Sequence, residues 1–413
     1  MSYIDFSNIY VPDYKILKNF ADVLIKFALN NGQGIKKGEV VYVIMNEYGK
    51  PMWLPIEKSI LESGGNMILS FNPAELERDR DQSKQFYEVA NEDQLKFFPD
   101  EYIKARVNTV DHFVLLLSTH DHEYYKDIDG TKLATRNKVW KKYMEYRNEK
   151  EYAGKLTWVL TDYPTPAMAN AANMTLEEYW DQIIKACFLD EQDPILKNRL
   201  VMQKTKEIVE WLNSLKIKKL RVTGADVDLH IYLTTEHQFV GGSGRNIPSF
   251  EVFTSPDTTK TEGWIYFNQP LYRNGQIIRG IKLEFKDGEV INYYAEYNNE
   301  ALKTMLETDE GSKRVGEFSL TDKRFSRIDR IMANTLFDEN FGGEYGNTHI
   351  ALGQSYRDAI KNQEKYSNEE IKQFGFNDSA IHVDIISTSN RVVHAELYDG
   401  RIIKIYENGE FLI

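Results

Sequence analysis

The first half of the chain alternates between helical and strand-like hydrophobic patterns. Apolar residues at helical spacing over 14–29 are followed by a continuous apolar run, 40–45, which is typical of a strand buried on both faces. The alternation continues with predicted helices at 55–63, 74–89 and 133–152 and predicted strands at 67–71, 112–118 and 156–161. Such alternation favours a mostly parallel sheet with helices on both faces, so we predict an α/β domain here.

The pattern changes near residue 215, where a helical region over 175–215 ends. Short strand patterns joined by glycine-containing turns follow, and Lys286-Asp-Gly288 has the composition of a tight hairpin turn. We therefore predict an overall α/β class in two domains. An N-terminal mostly parallel α/β domain with connecting helices spans 1–215, and a C-terminal α+β domain spans 216–413.

Composition narrows the class of protein. The 413 residues are 42% hydrophobic and 28% charged, as in an ordinary globular protein. The formal net charge of -12 argues against nucleic acid or an anionic membrane as the main partner. No apolar run reaches the roughly 20 residues that cross a membrane, and the N-terminal residues lack the pattern of a signal peptide. A cytoplasmic protein is expected.

Two further observations argue against disulfide or cysteine-zinc chemistry and against nucleotide binding. The single cysteine, Cys187, excludes an intrachain disulfide and a cysteine zinc cage, and its amphipathic helical segment predicts a buried structural thiol. The turn after the first predicted strand, 45–50, lacks both the dinucleotide fingerprint and a Walker loop. Nucleotide binding by the N-terminal domain is therefore disfavoured.

One cluster in the first half has the residue types of a metal site. His120-Asp-His122-Glu123 follows a predicted strand, and ligands often bind at strand ends in such sheets. A polar, turn-like stretch follows it directly over 124–130. We interpret the cluster as a solvated loop.

Carboxylates and imidazoles stand within apolar segments of the second half. Burying a lone charge is costly, so this placement indicates that something binds them. His382 and Asp384 lie two apart in a predicted strand and therefore share a face. Two divalent metal ions, of zinc, cobalt or manganese, would suit this set of ligands and predict a two-metal hydrolase. The candidate ligands are Glu251, Glu317, Glu339, His349, His382 and Asp384.

The segments around these residues resemble the thermophilic metallo-aminopeptidase family, which includes aminopeptidase T, aminopeptidase S and PepS. The likeness spans most of the chain. It is carried by NIPSFEVFTSPD at 246–257, RVGE at 314–317, TLFDEN at 335–340, THIALG at 348–353, HVD at 382–384 and YPTPA at 163–167. The resemblance implies that the same six residues are the metal ligands and that Tyr356 is the catalytic tyrosine.

The resemblance leaves one ligand position open. The segment between Glu339 and His349 is longer than the family pattern leads us to expect. Glu344, which lies within this segment, is therefore an alternative to Glu339.

The resemblance further implies a metal-dependent aminopeptidase that removes the N-terminal residue from peptides with a free N-terminus, and that forms homodimers. It makes the C-terminal α+β domain the metal-binding catalytic domain. We expect Glu317 to bridge the two metal ions and Glu251 or Glu317 to accept a proton from water. Tyr356 is expected to donate a hydrogen bond to the tetrahedral intermediate.

Two other functions fit the same residues. A two-metal hydrolase of another amide or of a phosphoester bond would use similar ligands. A non-catalytic small-molecule binding protein is the alternative outside the enzymes, because two-domain α/β chains often close around ligands.

Overall fold

The computed structural model describes residues 4–73, 83–119, 124, 127–273 and 276–413. The chain forms two compact units, one of Met1–Arg199 with Ser243–Pro248 and the other of Leu200–Gly242 with Ser249–Ile413. The domain boundary predicted after residue 215 stays a prediction. The cluster at 120–123 and the predicted helical residues 74–82 lie outside the described residues.

The first unit is built on a four-stranded parallel sheet, as the alternating pattern predicts. Its strands are β1 (Val40–Asn46), β2 (Asn66–Asn72), β3 (His112–Leu117) and β4 (Thr157–Asp162), in the order β2-β1-β3-β4. Its α-helices among the described residues are Tyr14–Asp22, Leu29–Gly32, Trp53–Glu62, Lys84–Val89, Glu92–Lys96, Asp100–Thr109, Gly130–Tyr152, Pro166–Ala171 and Leu176–Ala186. Tyr42 and Val43, which point to opposite faces of β1, are both buried, because apolar residues cover the sheet on both sides.

Two local predictions in this unit can be compared with the structure. The predicted helix 14–29 is α-helical only over Tyr14–Asp22 and continues as a π-helix over Val23–Ala28. Cys187, directly after the helix Leu176–Ala186, is fully buried, and burial raises the pKa of its thiol. A buried, protonated thiol fits the structural role expected for it.

The second unit consists mainly of antiparallel strands. The helix Pro194–Ser214 contains the first of the three places where the chain passes between the units. Further α-helices of the second unit are Asn299–Leu306, Thr335–Asp338 and Asn368–Gln373. Its strands are β5 (Ile217–Gly224), β6 (Val227–Tyr232), β7 (Val240–Gly241), β8 (Glu251–Thr254), β9 (Glu262–Phe267), β10 (Leu271–Arg273), β11 (Gln276–Lys286), β12 (Glu289–Tyr297), β13 (Val315–Thr321), β14 (Asn347–Gly353), β15 (His382–Ser387), β16 (Val392–Leu397), β17 (Ile402–Glu407) and β18 (Glu410–Phe411).

These strands form two sheets. The larger has the order β10-β11-β9-β6-β5-β16-β17-β18, with β12 paired to β11, and the smaller has the order β15-β14-β13-β8-β7. The predicted hairpin turn is confirmed, since Lys286 pairs with Glu289 and the two residues between them have positive φ. In the smaller sheet β13 and β14 are buried at every position, so any charged side chain there is inside the unit.

Among the described residues, no helix combines the length and the apolar character that crossing a membrane requires.

Candidate metal centre

Neighbouring strands of the five-stranded sheet place polar side chains on one face. Ser319 of β13 pairs with His349 of β14, and Thr321 of β13 pairs with Glu251 of β8. Side chains alternate along a strand, so Glu317, two residues before Ser319, points to the same face as both partners. Three strands thus contribute one candidate ligand each.

Strand β15 contributes two more. Asp384 pairs with Ala351 and His382 pairs with Gly353, and both partners are an even number of residues from His349 on β14. All these side chains therefore share the face that carries His349. The pair His382 and Asp384 projects together, as the strand pattern predicts.

The five side chains form two overlapping groups. The Nε2 atom of His349 lies 3.0 Å from Glu317 Oε1 and 3.4 Å from Glu251 Oε2. The Nε2 atom of His382 lies 3.5 Å from Glu317 Oε2 and 3.5 Å from Asp384 Oδ1. Within each group the potential ligand atoms lie within 4.8 Å of one another. Glu317 belongs to both groups.

Glu339 reaches the site from a loop. It follows the short helix Thr335–Asp338 and is 7% exposed. Its backbone carbonyl accepts hydrogen bonds from Thr321 Oγ1 (3.0 Å) and Asn347 Nδ2 (2.8 Å). Glu344, the alternative to Glu339, is exposed.

Asn340 connects this loop to the strand that carries Glu251. Its Nδ2 donates to Leu336 O (2.8 Å) and lies 3.5 Å from Glu339 Oε1. Its Oδ1 accepts from the N–H of Phe250, the residue before Glu251, at 2.6 Å. One amide side chain therefore positions two carboxylates.

Several buried carboxylates lie close together in this site, and burial and mutual repulsion disfavour ionisation of Glu317 and Glu339. Burial, with Glu251 as a negative neighbour, raises the pKa of Glu317 to about 7. Burial and the charges of Glu251 and Asp384 raise the pKa of Glu339 well above its usual range. Burial opposes ionisation of Asp384 as well, but His382 and His349 lower its pKa to about 2.

The neighbouring carboxylates favour the protonated, positively charged form of both histidines. Burial alone would lower the pKa of His382, yet Asp384 and Glu317 raise it to about 9. The pKa of His349 is likewise raised by Glu251 and Glu317 against the effect of burial. Buried carboxylates that draw protons onto imidazoles form a site that attracts positive charge.

The residues present fit divalent metal ions. Carboxylate oxygens and imidazole nitrogens are ligands for zinc, cobalt and manganese, and the ion pairs of these carboxylates among the described residues are with the two histidines alone. His382 Nδ1 donates to Gln354 O (2.7 Å), which leaves its Nε2 facing the carboxylates. A cation would relieve the repulsion between the acidic groups.

Tyr356 lies beside this cluster. Its ring centroid is 4.6 Å from that of His382, and its backbone N–H donates to Ser255 Oγ at 2.7 Å. The residue as a whole is 43% exposed. Loss of hydration at the hydroxyl, together with Glu317 and Asp384, raises the pKa of Tyr356 well above its usual range. The hydroxyl therefore stays protonated at neutral pH and can donate a hydrogen bond.

Three supporting residues had no role assigned from the sequence, namely Asn340 within the TLFDEN motif, Asn347 directly before the THIALG motif, and Thr321 at the end of β13. Each is buried and binds the segment that carries Glu339. Buried amides and hydroxyls beside predicted ligands need partners, and that requirement is the signal that could have identified them.

The fold and the chemistry of the site define a metal-binding protein of mixed α/β architecture. A family profile described as thermophilic metalloprotease (M29) matches residues 14–411. The chain belongs to this family, whose members depend on divalent metal.

Individual proteins similar to this chain agree with the family assignment. The chain is 28% identical to aminopeptidase 2 of Geobacillus stearothermophilus over 418 residues, which cover 96% of this chain and 98% of that protein. It is 32% identical to aminopeptidase T of Thermus aquaticus over 278 residues, 62% of this chain and 65% of that one. The structure of wild-type AmpT from Thermus thermophilus matches with a TM-score of 0.80 at 22% identity, covering 97% and 99% of the two chains.

These comparisons confirm the family and the α/β fold expected from the sequence. The predicted enzyme class, a metallo-aminopeptidase, is the class to which the named relatives belong.

Proposed function

We propose that the protein is an aminopeptidase that works with two divalent metal ions. The observation that carries the proposal is the position of Glu317 in both ligand groups. Its Oε1 faces His349 and its Oε2 faces His382, so one carboxylate can bridge two ions. The ligands we assign are Glu251, Glu317, Glu339, His349, His382 and Asp384.

We assign Glu339 rather than Glu344 as the sixth metal ligand, because Glu339 is buried near the other carboxylates whereas Glu344 is exposed. The donor set contains oxygen and imidazole nitrogen without a thiolate, which suits zinc, cobalt or manganese.

Side chains of the protein supply the proton acceptor and the hydrogen-bond donor that the reaction needs in addition to the metal ions. Bound divalent ions supply Lewis acidity, which acidifies water and polarises a carbonyl oxygen. Glu251 or Glu317 accepts the proton of the attacking water. The Tyr356 hydroxyl donates a hydrogen bond to the oxyanion that develops on the scissile carbonyl.

The substrate follows from the relatives rather than from the geometry. Because they are named aminopeptidases, we assign peptides with a free N-terminus as substrates and the N-terminal residue as the one released. A homodimer is part of the proposal and rests on the family resemblance. The cytoplasmic location is part of it as the expectation drawn from the sequence.

Metal analysis combined with a substrate panel tests the proposal. We expect about two metal ions per chain, and cleavage of aminoacyl-anilides but not of their N-acetylated forms. Chelation should abolish cleavage, and zinc, cobalt or manganese should restore it. Preferential cleavage of phosphate esters would support the other hydrolase, and metal-free, inactive protein would support the binding protein.

A further inference from the structure

The first unit contains a cavity that the proposed function does not use. It lies between the parallel sheet and the helix Gly130–Tyr152 and has a volume of about 260 Å³. Ile44, Leu115 and Leu160 are paired side by side on β1, β3 and β4, and they form one apolar wall. The helix contributes residues to the opposite wall, including Met144.

The cavity lies on the face of the sheet that this helix covers. Its lining extends from Trp158, the second residue of β4, to Leu117, the last residue of β3. The Arg147 guanidinium lies over Phe113, the second residue of β3. A mostly apolar cavity with a few polar groups is the usual form of a small-molecule site.

A buried guanidinium without an anionic partner lines the same cavity. Arg147 is 8% exposed, packs its guanidinium over the rings of Phe113 (4.9 Å) and Tyr143 (5.7 Å), and makes no hydrogen bond or ion pair with any described residue. Arg136, on the same helix and equally buried, donates to two backbone carbonyls. A buried cation without a partner is costly and is rarely retained without a ligand.

Among the described residues, Glu151 is the carboxylate that lines the cavity, and it is already engaged. Glu151 accepts a hydrogen bond from Trp158 Nε1 at 3.0 Å and pairs with Arg245 at 2.9 Å. The charge left to act on a molecule in the cavity is therefore the positive charge of Arg147.

We propose that this cavity binds a small organic carboxylate with an apolar body. The carboxylate would pair with the forked guanidinium of Arg147, and the hydrocarbon part would pack on Ile44, Leu115 and Leu160. Apolar cavities of about 150 Å³ hold a benzene molecule, so this one has room for a phenyl or branched alkyl group with a short acid chain. Free amino acids and acids without an amino group both meet this description. The proposal does not depend on aminopeptidase activity.

Calorimetry on the metal-loaded protein with 3-phenylpropanoate tests it. We expect saturable binding of one molecule per chain, and binding of the uncharged 3-phenylpropan-1-ol that is at least about tenfold weaker. Arg147→Met should weaken binding of the acid by a similar factor. Lys141→Met, which removes a charge from an exposed position of the same helix, should leave it unchanged.

A second variant keeps the test valid if Arg147→Met fails to fold. Leu117→Phe keeps the guanidinium and narrows the cavity, so it too should weaken binding of the acid while the thermal unfolding midpoint stays near that of the parent protein. If L-phenylalanine binds in a way that depends on Arg147, the ligand class is free amino acids. If L-phenylalanine does not bind while 3-phenylpropanoate does, the ligand class is carboxylic acids without an ammonium group. Absence of saturable binding, or equal binding by both variants and the parent, would overturn the proposal.

Discussion

At the scale of single residues, hydrogen bonds fix the orientation of candidate ligands. His382 is oriented by Gln354 O, and Glu251 Oε2 lies 3.4 Å from Ser319 Oγ. Ligands held in this way lose little conformational freedom when they bind a metal ion. The site is therefore preorganised by neutral groups that do not compete for the cation.

Tyr356→Phe tests the hydroxyl that we assign to oxyanion stabilisation. Loss of one such donor typically lowers kcat by about 10²–10³. We expect this loss with unchanged metal content and KM, because the ring still packs against His382 and Phe253. Steady-state kinetics and metal analysis on the one variant decide the matter, and a near-normal kcat with normal metal would contradict the role.

Glu339→Gln and Glu344→Gln form a matched pair that distinguishes the two candidates for one ligand position. Both substitutions remove one negative charge from the same segment, but only Glu339 is buried. We expect Glu339→Gln to lower metal content and activity at least about tenfold, since loss of a ligand weakens a metal site strongly. Glu344→Gln should resemble the parent protein. The reverse result would transfer the ligand role to Glu344.

His237 predicts a pH-dependent term in stability. It is 5% exposed, its Nδ1 accepts from the Thr234 N–H at 2.9 Å, and burial lowers its pKa from 6.5 to about 4. Between pH 4 and 6.5, His237 is protonated in the unfolded chain but stays neutral in the folded protein. The free energy of unfolding therefore falls as pH decreases from 6.5 to 4, by roughly 3 kcal/mol at most.

Urea unfolding at several pH values measures this slope. We expect His237→Gln to be less stable than the parent at pH 7 and to lose less stability on acidification. An identical pH dependence in the two proteins would show that His237 does not contribute.

At the scale of elements, the approach of two backbone segments shapes the strand that carries Glu317. The register between β13 and β14 shifts between Val315 and Glu317, and Gly316 lies at this irregularity. A Cβ atom on Gly316 would come within 2.3 Å of Gly353 O. The irregularity therefore requires glycine, and it sets which face Glu317 points to.

Gly316→Ala should consequently destabilise the protein by about 1–3 kcal/mol or more, because the clash is with backbone that cannot rotate away. Metal content should fall as well, since displaced strands move Glu317. Gly130→Ala is the control, because a Cβ there meets nothing within 4 Å. Equal unfolding midpoints for the two variants would contradict this account of the strand.

At the scale of the whole molecule, buried acidic groups make folding depend on bound cations. A ligand present at 100 times its dissociation constant stabilises the folded state by about 2.7 kcal/mol. We expect chelation to lower the thermal unfolding midpoint and metal addition to raise it again. Glu317→Gln should show a smaller response, since it removes the carboxylate shared by both groups. A midpoint that chelation leaves unchanged would contradict metal binding at these residues.

Much of the local structure and the family could be predicted from the sequence alone. Alternating patterns predicted the parallel strands β1 to β4, and Lys286-Asp-Gly288 predicted a hairpin, because periodicity and turn composition act over a few residues. The motifs around Glu317 and His382 identified the family. The six ligands could be named for the same reason, although their role stays a prediction.

Which of these segments lie side by side could not be predicted from the sequence and is seen in the folded structure. β8, which carries Glu251, pairs with β13 although four strands separate them along the chain, and those four belong to the other sheet. Hydrophobic periodicity reports which face of a strand is buried but not which strand lies beside it, since that depends on packing of the whole unit. The same limit applies to Asn340, whose contact with Phe250 spans 90 residues. It applies also to Arg147, which has no anionic partner among the described residues, a fact that emerges only from its surroundings in the fold.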